Sequence, residues 1–292
     1  MNTLAIALVV LSALFHALRN LFTKESGDKQ IFLWWYSLFG LVFYAPLFLF
    51  YLSKQGLPEP ASFGWIALSG FAHFLYWIFL TESYRDGDLS HVYPIMRSSP
   101  AIVLLFAVPI LGEKVSAQGA TGILLVAFGV YIINMKRFTP SEFLAPIRAI
   151  KHHRATQFAF LTLFSVAAYS LVDKVAVDRI HPVLFAFLHL FFGMIYYTFY
   201  IFVTKEKSNV KKEWAASRKT IIANGFLGIF GYSFILMAFT MERVSYIVGL
   251  RQLSILFAVL MGGHFLKEKH QTIRLTGACI IFIGAFLIST AE

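Results

Sequence analysis

The chain has 292 residues, of which 58% are hydrophobic and only 14% are charged, and its mean hydropathy is +0.70. This composition cannot supply a water-exposed surface, so it excludes a soluble globular protein and indicates that lipid surrounds most of the chain. The net charge of +10 would suggest nucleic acid in a soluble protein, but Lys and Arg collect here between apolar segments, and we expect no nucleic-acid partner.

Ten apolar segments follow one another, near residues 3–23, 31–53, 62–82, 90–111, 117–135, 156–176, 182–203, 219–241, 246–266 and 272–289. Each is close to the roughly 20 residues that an α-helix needs to cross a bilayer. A transmembrane β-barrel would need segments of roughly ten residues with alternating polarity, whereas 122–133 and 278–288 are continuously apolar. The sequence therefore predicts an all-α polytopic membrane protein with ten transmembrane helices and no soluble domain.

The first segment carries polar residues within an apolar stretch. It lacks a preceding basic residue and a small-residue cleavage pattern, so we interpret it as a retained helix rather than a signal peptide. Spacings of three and four place its polar side chains on one helix face: Ser12, His16, Arg19, Asn20 and Thr23. That face is predicted to line something polar. The alternative for Arg19, near the helix end, is that its side chain extends to the membrane interface.

The fourth segment contains Arg97 well inside the predicted span. A charge at the bilayer centre costs roughly 2.5–3.5 kcal/mol on insertion scales, so such an arginine should face protein or water. Tyr93, Arg97 and Pro100 recur at i, i+4 and i+7, and Pro94 and Pro100 free backbone carbonyls that need partners. Arg97 is therefore the strongest candidate for a binding residue. The alternative is a structural arginine bonded to those carbonyls.

Two stretches of the chain repeat at a nearly constant offset. Residues 111–114 (Leu-Gly-Glu-Lys) match 266–269 (Leu-Lys-Glu-Lys) at an offset of 155, and the match continues in Thr121/Thr276, Gly122/Gly277 and Gly129/Gly284. Residues 12–18 resemble 165–171 at an offset of 153. Because each half would hold five spans, the second half must enter the membrane upside down, giving two inverted five-helix repeats. The alternative is chance similarity between apolar helices.

The repeat relates polar groups in the middle of the two halves. In the register of 155, Arg97 aligns with Gln252 and Met96 aligns with Arg251. Two guanidinium groups could thus face one cavity from opposite repeats. Because a guanidinium binds carboxylate or phosphate through two parallel hydrogen bonds, the pair suggests an anionic group on the ligand.

Lys and Arg are unevenly divided between the two sets of helix ends. The linkers after helices 1, 3, 5, 7 and 9 contain 17 of them, and the linkers after helices 2, 4, 6 and 8 contain 5. Basic residues are enriched on the cytoplasmic side, so the first set is predicted to be cytoplasmic and both termini are predicted to lie outside.

Two five-helix halves, each with a Leu-x-Glu-Lys turn and a last helix that contains Thr-Gly, resemble the drug/metabolite transporter superfamily and its EamA-like branch. Residues 84–97 (Tyr-Arg-Asp-Gly-Asp-Leu-Ser-His-Val-Tyr-Pro-Ile-Met-Arg) are similar to a stretch of bacterial members of that branch. The resemblance implies EamA-like repeats at 1–138 and 156–292, a basic cytoplasmic linker at 139–155 and a bacterial inner-membrane location. It also implies a cavity between helices 1, 3, 4, 6, 8 and 9.

Aromatic and titratable side chains add to the predicted cavity. Four aromatic residues lie centrally on the helices that the resemblance implies: Tyr76, Trp77, Tyr169 and Tyr232. His73 shares a face with Tyr76 and could titrate near neutral pH, although a hydrogen-bonded packing role is equally open. The acids closest to the spans are each placed near a helix end: Glu82, Asp173 and Glu242. We therefore expect no well-buried carboxylate, which leaves facilitated diffusion, exchange or proton coupling through a histidine.

These features predict a secondary transporter for a small polar metabolite that carries a carboxylate, phosphate, phosphonate or sulfonate group, including an amino acid. The predicted binding residues are His16, Tyr76, Trp77, Tyr93, Arg97, Tyr169, Tyr232, Arg251 and Gln252. An exporter of cationic or apolar compounds is the alternative. No enzyme motif is present, and a channel fits an inverted repeat less well than a carrier does. We expect a monomer or homodimer in lipid, without cofactor or metal.

Overall fold

A computed structural model describes residues 1–24, 26–85, 92, 95–133, 135, 153–257 and 271–292. The helices within these ranges are α1 (Thr3–Lys24), α2 (Lys29–Gln55), α3 (Phe63–Arg85), α4 (Ser99–Leu111), α5 (Ala117–Ile133), α6 (Arg154–Val177), α7 (Pro182–Thr204), α8 (Lys207–Phe239), α9 (Val244–Leu250) and α10 (Gln271–Thr290). A single 3₁₀ turn, Pro60–Ser62, precedes α3, and the described residues contain no strand. The prediction of an all-α protein is confirmed.

The helices have the length and polarity of membrane spans. Of the described helices, α1, α2, α3, α6, α7 and α8 are long and apolar enough to cross a bilayer, and four shorter apolar helices accompany them. Large apolar side chains point outward, among them Leu105, Phe199 and Val203 with 64%, 74% and 68% of their surface exposed. In water such a surface would be costly, whereas in lipid it is the expected exterior.

Local sequence sets the ends of α2. Asp28 accepts hydrogen bonds from the backbone N–H groups of Gln30 and Ile31, at 2.9 and 3.2 Å, and so caps the first turn. At the other end, Gly56 has a φ of +74°, a conformation that costs glycine little and lets the chain leave the helix after Gln55.

Helix α8 begins at Lys207, twelve residues before the predicted start of its span at 219. The additional turns are polar, so hydropathy could not detect them, but they pack on the start of α2. Trp214 stacks on Phe39 with ring centroids 5.3 Å apart, and Glu213 accepts the backbone N–H of Asp28 at 2.9 Å. Apart from the interruptions at the start of α4 and the end of α9, the other predicted ends that can be compared lie within three residues of the observed ones.

Helices α5 and α10 join the two repeats through four glycines. A Cβ atom added to Gly122 would lie 2.8 Å from the carbonyl oxygen of Gly284, and one added to Gly129 would lie 2.8 Å from that of Gly277. Rising residue numbers on α5 meet falling numbers on α10, so these equivalent helices are antiparallel. A twofold relation between the halves, with one half inverted, produces this pairing.

The remaining helices also pack chiefly on the other repeat. Helices α1 and α2 lie against α8, α2 also lies against α7, and α3 lies against α6 and α7. The two repeats therefore interlock, and the space enclosed between them holds the candidate site.

Candidate functional site

A cavity lies between the two repeats and has a polar and an aromatic part. The polar part encloses about 890 Å³ including the open solvent at its mouth, and the aromatic part encloses about 680 Å³ on the same measure. The two parts are continuous because they share seven lining residues: Arg19, Leu33, Tyr36, Tyr76, Leu80, Tyr169 and Arg251.

Interruptions in two helices deliver arginines to this cavity. Residues 95–97 are helical, a turn occurs at Ser98, and α4 follows from Ser99. In the second repeat α9 ends at Leu250, a turn covers Arg251 and Gln252, and 253–257 are helical again. In the register of 155 the two interruptions lie within two residues of each other, and each repeat presents one arginine at its break.

Arg97 and Arg19 approach the same imidazole from its two sides. The Nη2 atom of Arg97 lies 2.9 Å from His16 Nε2, and the Nη2 atom of Arg19 lies 3.3 Å from His16 Nδ1. Arg19 also lies 5.6 Å from the centroid of the Tyr36 ring, and its Nη1 atom lies beside Gly228. Its side chain thus lines the cavity.

Arg251 occupies the equivalent place in the second repeat. Its guanidinium lies 5.3 Å from the centroid of the Tyr232 ring and interacts electrostatically with the Tyr169 side chain. Tyr169 aligns with His16 at the offset of 153. Each repeat therefore places its arginine beside a ring on its own first helix, which is α1 in the first repeat and α6 in the second. Arg251 Nε and the neighbouring Gln252 Oε1 are buried and have no hydrogen-bond partner among the described residues.

The charged groups that line the cavity are all basic where the structure describes them: Arg19, Lys29, Arg97 and Arg251. Within the described ranges no carboxylate lies within 4 Å of a nitrogen of Arg19 or Arg251. Guanidinium groups in such a setting have hydrogen-bond donors to offer to an anion. The described residues contain no group of three or more His, Cys, Asp or Glu side chains that could hold a metal ion.

The aromatic part of the cavity extends behind the arginines. Its walls combine rings with aliphatic side chains: Leu33, Tyr36, Tyr76, Trp77, Leu80, Tyr169, Leu190, Ile229 and Tyr232. Tyr76 and Tyr169 meet edge to face with ring centroids 5.4 Å apart. This part can enclose the apolar body of a ligand whose charged group is held at the arginines.

The structure brings together eight of the nine predicted binding residues. The cavity is lined by His16, Tyr76, Trp77, Arg97, Tyr169, Tyr232, Arg251 and Gln252. Tyr93 lies outside the described residues. Sequence reasoning did not select Tyr36, Thr162 or Val166, although Thr162, Val166 and Tyr169 recur at i, i+4 and i+7 on α6, and that spacing could have identified them.

One sequence expectation is wrong: the protein does contain a well-buried carboxylate. Asp173 is fully buried and accepts hydrogen bonds from Ser69 Oγ, at 2.5 Å, and from the Tyr232 hydroxyl. It lies one turn before the end of α6, and distance from a helix end is a poor guide to burial where neighbouring helices extend past that end. Here α3 and α8 supply the partners that cover it.

The described lining of the cavity extends toward one end of the bundle, and contacts between the repeats close the other end. Its lining reaches Lys29 at the start of α2 and Tyr84 near the end of α3. At the opposite end Glu113, before α5, accepts the backbone N–H of Val244 at 2.5 Å and the Ser245 hydroxyl at 2.6 Å. These bonds tie the end of the first repeat's fourth helix to the start of the second repeat's α9 and seal that side.

Comparison with known proteins agrees with this architecture. The model of the EamA-like transporter family matches residues 3–135 and again residues 154–290. A solved crystal structure aligns with 98% of this chain and 97% of its own chain at a TM-score of 0.71 and 16% sequence identity, which shows a shared fold. Comparison with curated proteins gives no match.

Proposed function

The chain belongs to the EamA-like transporter family, within the drug/metabolite transporter superfamily, and from that premise we propose that it carries a small organic anion or zwitterion across the bacterial inner membrane. The anionic group is a carboxylate, phosphate, phosphonate or sulfonate. Transport is secondary and proceeds by alternating access, in which the two inverted repeats rock around a fixed central site.

The observation that carries this proposal is the sign of the charges around the cavity. Three arginines and one lysine line it, and no acid joins them among the described lining residues. No described residue that lines the cavity offers a cationic ligand a carboxylate partner, whereas an anion can accept charge-assisted hydrogen bonds from the arginines. Arg251, like Arg19, lines both parts of the cavity.

The aromatic walls support an organic rather than an inorganic ligand. A ligand of matching shape places its anionic group between Arg19, Arg97 and Arg251 and its apolar portion against Tyr36 and Tyr76. Burial of apolar surface then adds to the electrostatic attraction. The buried Gln252 Oε1 is an acceptor and suits a ligand that also has an N–H or O–H donor, such as an amino acid.

The end of the bundle toward which the described lining extends carries the linkers that are rich in Lys and Arg. By the distribution of basic residues this end is cytoplasmic and both termini are outside, so we assign the structure to an inward-facing state. Closing this end while the bonds of Glu113 break at the other would expose the same arginines to the outside.

The proposal is tested by thermal stabilisation of the purified protein with three ligands that share a carbon skeleton: 3-phenylpropionate, 3-phenylpropylammonium and 3-phenylpropanol. Succinate, glycerol 3-phosphate and amino acids extend the set to more polar anions and zwitterions. A ligand that binds the folded state at about 100 times its Kd contributes roughly 2.7 kcal/mol of stability, so binding raises the apparent Tm. We expect the anions to stabilise the protein and the matched cation and alcohol to have no effect.

The arginine variant Arg251→Gln is expected to weaken anion binding by at least tenfold, because hydrogen bonds to charged groups contribute about 1.5–3 kcal/mol. The matched control is Arg179→Gln, since Arg179 lies outside the cavity over the Trp65 ring. Stabilisation by the cation alone, or by anions equally in wild type and Arg251→Gln, would contradict the proposal and favour an exporter of cationic or apolar compounds.

A further inference from the structure

A buried histidine and a buried aspartate from opposite repeats face each other beside the cavity. His73 lies on α3 in the first repeat, Asp173 lies on α6 in the second, and 6% and 0% of their surfaces are exposed. The Nε2 atom of His73 lies 3.7 Å from Asp173 Oδ2 and has no hydrogen-bond partner among the described residues. A buried, unpartnered polar atom aimed at a carboxylate needs an explanation.

The hydrogen bonds around His73 and Asp173 show which nitrogen of the imidazole carries the proton and which does not. His73 Nδ1 lies 3.0 Å from the carbonyl oxygen of Ser69, which can only accept, so the ring proton belongs on Nδ1. The Ser69 hydroxyl donates to Asp173 Oδ1. In a neutral ring, Nε2 then presents a lone pair to the carboxylate oxygen, and two acceptors face each other. One proton, on either Nε2 or Oδ2, converts this contact into a hydrogen bond.

The surroundings of the pair contain no other carboxylate among the described residues that contact it. Tyr169 of α6 stacks on the His73 ring with centroids 4.1 Å apart, and His189 of α7 lies 4.9 Å away. Tyr232 of α8 donates to Asp173, and Arg251 lies over the Tyr232 ring. Asp173 therefore accepts hydrogen bonds from Ser69 and Tyr232 on one side. On the other side it faces His73 Nε2, which has no hydrogen-bond partner among the described residues.

We propose that His73 and Asp173 together bind a single proton, and that this proton is transported with the anion held by Arg251. The anion part of this statement rests on the proposed function, whereas proton binding by the pair stands without it. The ligand of the new site is the proton itself, which would make the protein a proton-anion symporter.

Arg251 links the two sites electrostatically. In the empty cavity its positive charge favours ionised Asp173 and opposes a proton on the pair. An anion that binds the guanidinium cancels this field, and proton binding becomes more favourable. By reciprocity a proton on the pair strengthens anion binding by the same factor, which is the requirement for moving both together.

The placement of the pair also suits alternating access. Because each member belongs to a different repeat, rocking of the repeats changes the distance between them and the side from which the proton enters. A pair within one repeat would move as a unit and would not sense the transition.

The first test needs no substrate and uses infrared difference spectra of the lipid-reconstituted protein between mildly acidic and mildly basic pH. We expect bands from protonation of one carboxylate or one imidazole that are lost in Asp173→Asn and also in His73→Gln, since both partners are required. His189→Gln is the matched control and should retain them, because His189 Nδ1 donates to Phe185 O and meets no acid. Spectra of Asp173→Asn identical to those of the wild type would overturn the proposal.

The second test measures proton uptake with a pH indicator in weakly buffered solution when 3-phenylpropionate is added at matched pH. We expect about one proton per bound anion in the wild type. Asp173→Asn should still be stabilised by the anion but should take up no proton. Anion binding without proton uptake in the wild type would overturn the coupling. If the wild type binds no anion, the proposed function fails, and the infrared result alone decides whether the pair is a proton site.

Discussion

His16 lies between two groups that can only donate hydrogen bonds. A neutral imidazole has one donor and one acceptor nitrogen, and an arginine side chain cannot accept. The shorter contact, 2.9 Å from Arg97 to Nε2, is the one that can be a hydrogen bond. The 3.3 Å contact between Nδ1 and Arg19 then sets a donor against a donor. An anion oxygen placed between them would accept from both, so the ligand-free site is arranged to gain from anion binding.

Two substitutions of His16 should separate these contacts. The amide of His16→Gln reaches the position of Nε2 and should keep the Arg97 contact and the thermal stability, yet bind the stabilising anion about tenfold more weakly. The shorter amide of His16→Asn reaches the position of Nδ1 and should keep anion binding while lowering the Tm of the ligand-free protein. Thermal shift titrations measure both quantities. Equal behaviour of the two variants would contradict the assigned roles.

The polar residues of the site were predictable to different degrees. The sequence has 25 Lys and Arg residues, of which 22 lie in the predicted linkers or near the ends of the predicted spans, and the other three are Arg19, Arg97 and Arg251. All three line the cavity, because lipid excludes a charge from every other direction inside the span. Asp173 was missed because it is buried by α3 and α8. The sequence of α6 alone does not show how far these neighbouring helices extend.

At the scale of helices, hydropathy located the spans but not the contacts between them. The start of α8 at Lys207 was missed because hydropathy does not detect a helical turn whose residues are mainly polar. Glu213 contacts Ser217 and the Asp28 backbone, and both contacts need the folded bundle. The glycines of α5 and α10 recur at the same spacing in both halves, but only the folded bundle shows that they pack against each other.

The glycine contacts between α5 and α10 should not tolerate an added methyl group. We expect Gly129→Ala to lower the apparent Tm, because its Cβ would lie 2.8 Å from the backbone oxygen of Gly277, and overpacking costs typically 1–3 kcal/mol. That cost exceeds the gain in helix propensity of about 1 kcal/mol.

The matched control for Gly129→Ala is Gly64→Ala in α3. No atom lies within 4 Å of the Cβ position there, so this change should leave the Tm unchanged or raise it. Thermal unfolding of both variants in the same detergent provides the measurement. A stable Gly129→Ala protein would mean that α5 and α10 are further apart than described.

Across the bundle as a whole, contacts between the repeats close the end of the cavity near Glu113. Glu113 is the main tie, since one carboxylate accepts from the N–H of Val244, the hydroxyl of Ser245 and, at 3.3 Å, the N–H of Ser245. It caps α9 from the opposite repeat, and its loss should favour the state that is open at this end.

A cysteine placed between the cavity and the closed end reports this change. Ser12 is 2% exposed and lies one turn from His16 toward the closed end. In a Cys279→Ser background, Ser12→Cys should react slowly with a bulky water-soluble maleimide, and adding Glu113→Ala should speed the reaction several-fold. Glu59→Ala is the control, because Glu59 makes no cap bond at the 3₁₀ turn. An unchanged rate in the Glu113→Ala protein would show that other contacts hold this end shut.

The packing of each repeat against the other also constrains when the protein can fold during its synthesis. The main packing partners of α1, α2 and α3 are α6, α7 and α8, and the glycine face of α5 fits only α10. A ribosome delivers α1 to α5 to the membrane before any of these partners exists. The first half therefore has no core to fold around and must remain as separate inserted helices, with Arg19 and Arg97 lacking their final surroundings, until the second half is synthesised. Completion of the tertiary structure has to wait for α10.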